Sequence, residues 1–476
     1  MQPYELNLTA AAEQIKSKQL SPVELVESVL GRLDAVEPKI NAFACVTGEL
    51  ARDAARTAEQ EIGNDRYRGP LHGIPVGIKD LYDTAGVPST SSSKVRAGRV
   101  PDTDAVIVDR LRSAGMVMVG KTHTHEFAYG AITPTTRNPW GTSHIPGGSS
   151  GGSAAAIAAG VCTVGMGTDT AGSIRIPASL CGTVGLKPTY GRTSRRGVTS
   201  LSWSLDHAGP LTRNVRDAAL VLSVIAGYDR LDPACVDVPV PDYTADLGRG
   251  VGGLRIGIPT NYYFDRVSAD VDRAVRGAAA LLEGQGAQLR EVTIPYADAV
   301  LAAEWGILMP EASAYHQQAL RESAELYEPD VRMFLEAGEF VLATDYIKAL
   351  RARTLMQQAW AAMFTDVDVV LAPCMPVAAP EVGATEVNWP DGTAEDVTMA
   401  LVRLTSPGNL TGLPTLSLPV GFDAAGLPLG MQVIGRPFDE LTILRIGQAY
   451  EDASDTVGRI TRDLIPTTPN GRSVPS

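Results

Sequence analysis

Apolar residues along the chain recur with two periods, and the switches between them mark out the elements. Leu25, Val26, Val29, Leu30 and Leu33 lie on one face of a helix with a period near 3.6. Ser21-Pro22-Val23-Glu24 opens that helix as a capping box with proline at the first helical position, and Pro38 is expected to stop it. The period then drops to two: Ile74, Val76 and Ile78 alternate, which predicts a strand over 73–78. Pro101-Asp102-Thr103 predicts the start of a helix ending near Gly115, and Met116–Val119 returns as a strand. Strand, helix and strand in this rhythm predict an α/β fold, a sandwich of helices around a large mixed and largely parallel sheet.

Further along, Asn214-Val215-Arg216-Asp217 predicts a capped helix running to Gly227, and the Asp/Pro/Gly-rich stretch 229–250 a loop. Gly250-Val251-Gly252-Gly253 precedes a strand-like run, 254–258, rather than opening a helix, so it is not a dinucleotide-binding loop. Residues 269–286 and 297–364 read as helical. The segments 367–371, 415–420 and 430–434 read as strands and 440–450 as a last helix. No internal repeat, low-complexity tract or linker divides the 476 residues, so a single domain over 1–476 is expected, with residues 1–70 as an N-terminal helical layer.

Composition narrows the function classes. A net charge of −13 argues against a nucleic-acid-binding surface. No apolar run approaches the ~20 residues of a membrane helix, and residues 1–19 show neither the basic nor the apolar region of a secretory signal, so neither a membrane partner nor export is expected. Five scattered cysteines, an odd number without paired spacing, suit a reducing cytoplasm. Among small apolar neighbours, Cys162 and Cys181 read as buried structural thiols.

One stretch is unlike any ordinary core segment: Pro146–Lys187, PGGSSGGSAAAIAAGVCTVGMGTDTAGSIRIPASLCGTVGLK. Two turns of such small residues bring bare backbone N–H groups together, and such groups bind anions or developing negative charge. The serines are the side chains there with nucleophilic potential.

This stretch resembles the signature of the amidase signature family, serine hydrolases that cleave amides with a Ser-Ser-Lys triad. The pattern GGSSGGS…GTD-x-[GA]GS-x-R-x-P is met residue for residue, and the family's GIPxxIKD motif is present upstream as Gly73–Asp80. The likeness runs from about Leu20 to about Tyr450 and is weaker between Pro239 and Val367. It implies that residues 71–235 form the core carrying the signature and that 297–365 is a variable helical insertion shaping the substrate pocket. It further implies Ser173 as nucleophile, Ser149 as the bridging serine held by a cis peptide bond, and Lys79 as the base. The backbone N–H groups of Thr170, Ala171, Gly172 and Ser173 would form an oxyanion hole, with Ser150, Thr168, Asp169 and Arg175 bracing the loops. Tyr129, Ala128 and Gly148 would line the substrate site, and a homodimer is implied.

The residues themselves agree with that assignment. An arbitrary lysine at a strand end snorkels to the surface. A buried one is pushed towards neutrality and becomes a general base. A serine hydroxyl needs such a base within hydrogen-bond reach. None of the six histidines (His72, His123, His125, His144, His207, His316) follows a G-x-S-x-G elbow. His123-Thr124-His125-Glu126 lacks the HExxH spacing and a third ligand, so no metal and no cofactor are expected.

The expected substrate is a small-molecule amide, anilide or carbamate-like compound. The alternative is the glutamine-hydrolysing component of a tRNA-dependent amidotransferase, its A subunit, which Gly185–Arg192 resembles. That protein holds the glutamine zwitterion with a basic and an acidic residue. Here the R-[IV]-x-L-G arginine has no counterpart in Met333–Gly338, and Val402 replaces the aspartate. Without those charges a zwitterion would be poorly held.

Overall fold

The computed structural model describes residues 2–461. Thirteen strands occur among them: β1 (Phe43–Val46), β2 (Pro75–Lys79), β3 (Val117–Thr122), β4 (Val164–Asp169), β5 (Val184–Lys187), β6 (His207–Thr212), β7 (Arg255–Pro259), β8 (Gln288–Val292), β9 (Val369–Pro373), β10 (Glu386–Asn388), β11 (Ala394–Asp396), β12 (Thr415–Phe422) and β13 (Pro428–Gly435). All but the small β10–β11 hairpin join one eleven-stranded sheet in the order β1-β3-β2-β4-β6-β5-β12-β13-β9-β7-β8. The sheet is mixed. Parallel pairing, the product of strand–helix–strand units, holds in the blocks β3-β2-β4 and β9-β7-β8. Antiparallel neighbours join the two blocks.

Helices cover the sheet in an α/β/α arrangement. Val215–Ile225, Ala269–Gly284 and Glu440–Ala453 pack together, while Gly151–Ala158 and Arg175–Cys181 pack as a second group carrying the signature loops. Every residue of β2 and β4 is buried. Glycine at position 77 is required there, since a Cβ would meet Cys162 Sγ at 2.9 Å. Cys162 and Cys181 are free and buried, as expected. No helix among the described residues is long and apolar enough to cross a membrane.

Local rules account for most element ends. Ser21 Oγ accepts the Val23 N–H while Glu24 takes the Ser21 N–H, and the helix Pro22–Ile40 follows. It does not stop at Pro38 as expected. A proline in the last turn removes one backbone bond, and burial of Ile40 at 0% exposure carries the helix on to Asn41. The helix expected from Pro101 begins only at Val106, because the preceding residues are held extended: Ala105 N–H donates to the Asp83 carbonyl and Asp104 accepts the Ala85 N–H. Asn214 caps Val215–Ile225 through the Asp217 N–H.

Residues 297–364 form three main helices, Val300–Ser323, Pro329–Gly338 and Ala343–Met363. Their apolar faces build a second hydrophobic cluster with Tyr129, Ala171, Ile176 and Val402, which places this insertion against the signature loops. Inside it, Glu304 is fully buried and neither carboxyl oxygen has a partner among the described residues. Burial pushes its carboxyl well above the ordinary carboxylate range, so the folded chain holds a proton that the unfolded chain releases above about pH 4.5. Stability from this group is therefore present in acid and lost as pH rises. Replacing it by an apolar side chain, Glu304→Met, is expected to stabilise by about 1–3 kcal/mol at pH 8 and by less at pH 4.5. Thermal melts of both proteins at the two pH values check this; an unchanged gap would exclude an unpartnered, protonated Glu304.

Candidate active site

The site sits where the C-terminal ends of the adjacent parallel strands β2 and β4 meet the two glycine-rich loops. β2 ends on Lys79 and β4 on Thr168 and Asp169. Strand alternation turns Lys79 and its neighbour Asp80 apart. Asp80 faces Lys121 at 3.3 Å and accepts N–H groups of Thr90 and Ser92, while Lys79 faces the loops.

Lys79 is fully buried, and its Nζ reaches three hydroxyls: Ser149 Oγ at 2.7 Å, Ser150 Oγ at 2.8 Å and Thr168 Oγ1 at 2.8 Å. Among the described residues, none of its hydrogen bonds goes to a carboxylate. Burial pushes the amine well below the ordinary lysine range, against the opposing pull of Asp169 and Asp206. Three neutral oxygens around a desolvated amine can pass protons without fixing a charge. Ser150 and Thr168, expected to brace loops, thus touch the lysine directly, and Ser150 Oγ also accepts the Thr168 N–H.

Ser149 follows a cis peptide bond from Gly148. Its carbonyl accepts from the His125 N–H and from Thr133 Oγ1, both at 3.1 Å. Gly148 lies so close to the 131–132 backbone that a Cβ would sit 2.7 Å from Ile132 N, a contact that only glycine avoids. Ser173 is 6% exposed, and its carbonyl accepts the Ser150 N–H at 3.1 Å, tying the two loops together. The Ser173 hydroxyl makes no hydrogen bond among the described residues.

Asp169 organises the second loop. Its carboxylate accepts the N–H groups of Gly172 (2.9 Å) and Ile174 (3.1 Å), Nε and Nη2 of Arg175 (both 3.0 Å) and Asn409 Nδ2 (2.9 Å). Burial by itself would raise this acid, but the Arg175 charge and hydrogen bonds hold it well below the usual carboxylate range. Arg175 continues to the Thr405 carbonyl and to Gln432, linking Asp169 to residues 405 and 432. The Gly172 N–H is engaged by Asp169 and is not free to meet a substrate oxygen, which leaves Thr170, Ala171 and Ser173 as candidate donors.

The histidines are occupied elsewhere. His125 Nε2 lies 3.0 Å from Asp330, His123 Nδ1 3.2 Å from Ser92 Oγ, and His207 Nδ1 2.6 Å from the Leu205 carbonyl. Among the described residues, none of the six hydrogen-bonds the Ser149 or Ser173 hydroxyl through its ring.

A cavity of about 30 Å³ opens onto Ser173, lined by Ala128, Tyr129, Thr170, Trp305, Phe334 and Val402, with no charged side chain in its wall. Tyr129 and Trp305 both stack on Phe334, with ring centroids 5.3 Å and 5.6 Å away. The Tyr129 hydroxyl and Trp305 Nε1 are buried without a partner among the described residues. Val402 stands in this wall, whereas Met333 is 56% exposed and turned away. Sequence reasoning misses Trp305 and Phe334, because an aromatic residue in an amphipathic helix carries the same signal as any core position. A second cavity, of about 270 Å³, lies beyond Thr170 and is lined by Thr168, Trp203, His207 and Leu231 among others.

A family model described as Amidase matches residues 24–444. An amidase of Pseudomonas putida is 52% identical over 450 residues, covering 94% of this chain and 96% of that protein. The A subunit of the glutamyl-tRNA(Gln) amidotransferase from Roseiflexus sp. (strain RS-1) is 42% identical, covering 95% and 97%. A solved structure of a vestigial protein complex revealing the evolutionary origins of an s-triazine catabolic enzyme superposes with a TM-score of 0.91 at 36% identity, covering 96% of this chain and 100% of that one.

Proposed function

The chain belongs to the amidase family and is an amide hydrolase; from that premise we propose that it cleaves the C–N bond of small carboxylic amides or related anilides through Ser173, Ser149 and Lys79. The observation that carries the reading is the buried lysine held by three hydroxyls and by no carboxylate. Ser173 Oγ attacks the carbonyl carbon as its proton passes to Ser149 Oγ, and the Ser149 proton passes to the neutral Lys79 amine. The carbonyl π pair moves onto oxygen, where the backbone N–H groups of Thr170, Ala171 and Ser173 stabilise the charge. As the pair returns, the C–N bond breaks. The proton travels back through Ser149 to the departing nitrogen, which would otherwise leave as an amine anion. Water then attacks the acyl-Ser173 ester by the same relay and frees the acid.

The experiment is turnover of a panel of aryl acylamides, aliphatic amides, carbamates and glutamine, with mass spectrometry of protein quenched early with hydroxylamine absent and present. An acyl adduct on Ser173 that hydroxylamine removes supports the reading. Turnover through an adduct on another residue would overturn it.

The amidotransferase reading has one observation in its favour, the similarity to the Roseiflexus protein. Against it stands the cavity over Ser173, whose walls offer Phe334, Trp305 and Val402 where a zwitterion would need opposite charges. Glutaminase activity that rises on adding partner subunits and charged tRNA would reverse this order.

Tyr129 is read as a substrate contact, its unpartnered hydroxyl hydrogen-bonding a polar group of the bound substrate. Tyr129→Phe keeps the ring stacked on Phe334 and removes one donor. KM is expected to rise about 5–30-fold with kcat changed less than about threefold, as read from initial rates on the best substrate of the panel.

A further inference from the structure

The two cavities flank the reacting centre unequally. They share Ala128, Thr170 and Leu201 as a common wall. The small one contains Ser173, whereas the large one contains Thr168, whose hydroxyl touches Lys79. In a tetrahedral intermediate on Ser173, the α-carbon of the acyl group and the leaving nitrogen point to different sides of the former carbonyl carbon. The nitrogen must take its proton from Ser149, which Lys79 resupplies. The amine half therefore lies towards the Lys79–Thr168 side and its larger cavity, and the acyl half is left with the smaller one.

We propose, resting on the amidase reading above, that the substrates are N-substituted amides with a short acyl group and a larger, weakly polar amine group. About 30 Å³ accommodates on the order of two waters, which suits an acyl group of acetyl or glycolyl size. The space on the amine side is about 270 Å³, walled by Val198, Leu201, Trp203, Leu231 and Pro233. Its charged groups are already engaged. Asp206 accepts from Thr170 Oγ1, Ser200 Oγ and the N–H groups of Leu201 and Ser202. Arg196 pairs with Asp229 at 2.9 Å, and Arg195 lies 3.7 Å from Asp232. The polar group left over is His207 Nε2, unpartnered among the described residues, an acceptor for a single donor on the amine. Trp203 and Leu231, at 45% and 57% exposure, form an open mouth through which a longer amine can project.

The test is two substrate series on the purified full chain. One holds acetyl constant and enlarges the amine from ammonia to butylamine and benzylamine, amines of comparable basicity, so that leaving-group chemistry changes little. The other holds ammonia constant and enlarges the acyl group from acetyl to phenylacetyl. We expect kcat/KM to rise about tenfold or more along the first series and to fall by a similar factor along the second. Filling the mouth with Leu231→Trp is expected to lower the ratio of kcat/KM for N-benzylacetamide to that for acetamide at least about tenfold. Enlarging the acyl side with Phe334→Ala should raise phenylacetamide relative to acetamide. A wild-type preference for phenylacetamide over N-benzylacetamide would overturn the partition while leaving the amidase reading intact. Loss of all activity in both series, with no acyl-Ser173 adduct, would instead overturn the amidase reading and this inference with it.

Discussion

Ser173→Ala should abolish turnover, lowering kcat by about 10⁴–10⁶-fold, while the protein melts within about 2 °C of wild type. The effect is large because the substitution removes the proposed covalent acceptor, and the neighbouring Ser149 is committed to Lys79 at 2.7 Å. The fold should survive because the missing oxygen makes no hydrogen bond among the described residues, and the turn around it is held by other groups. Asp169 takes the N–H groups of Gly172 and Ile174, and the Ser173 carbonyl takes the Ser150 N–H. Intact-mass measurement during turnover checks the prediction: wild type should show an acyl adduct and the variant none. An adduct formed by the variant would remove Ser173 from the mechanism.

Lys79→Met should lower kcat/KM by about 10²–10⁴-fold at every pH, since the base is absent rather than mistuned. Wild type should show a profile set by the lysine. Its amine is pushed below the ordinary range by burial, with Asp169 and Asp206 pulling the other way. Both carboxylates are already engaged, Asp169 by Arg175 and Asp206 by four donors, and Asp80 is turned onto Lys121. The depression therefore wins. In acid the amine binds a proton and has no free pair, so kcat/KM is low. It rises as Lys79 deprotonates and levels off in the neutral-to-alkaline range. Stability carries the same sign, because the unfolded lysine takes up a proton that the buried one resists, so Lys79 costs folding free energy most at low pH. Lys79→Met, which leaves no amine to desolvate, should gain stability relative to wild type as pH falls. A wild-type profile that peaks in acid and declines by neutral pH would refute a neutral-lysine base and return attention to the histidines.

Much of the site can be read along the chain because its parts are local. The loops over 147–150 and 170–173 need residues too small to be mistaken for core, and strand alternation at the end of β2 places Lys79 and the following Asp80 on opposite faces. The same holds for the caps at Ser21 and Asn214, where donor and acceptor are within three residues. Expectations fail where a distant partner outweighs a local signal. Pro38 does not end its helix because the burial of Ile40 favours continuing it. Pro101 does not begin one because Asp83 and Ala85 hold residues 104 and 105 extended.

By itself, then, the sequence determined the small-residue turns and the placement of the lysine at a strand end, features set by local sterics and short-range hydrogen bonding, while the pairing of the serines at 149 and 173 with that lysine is what the family resemblance implies. Tertiary structure decided which of those groups are free to act. Ser150 and Thr168 close on Lys79 from 71 and 89 residues away. Trp305 and Phe334, from helices far along the chain from the signature loops, set the width of the space over Ser173. These outcomes depend on through-space contacts between segments distant in sequence, and neither periodicity nor spacing encodes which buried donor meets which acceptor.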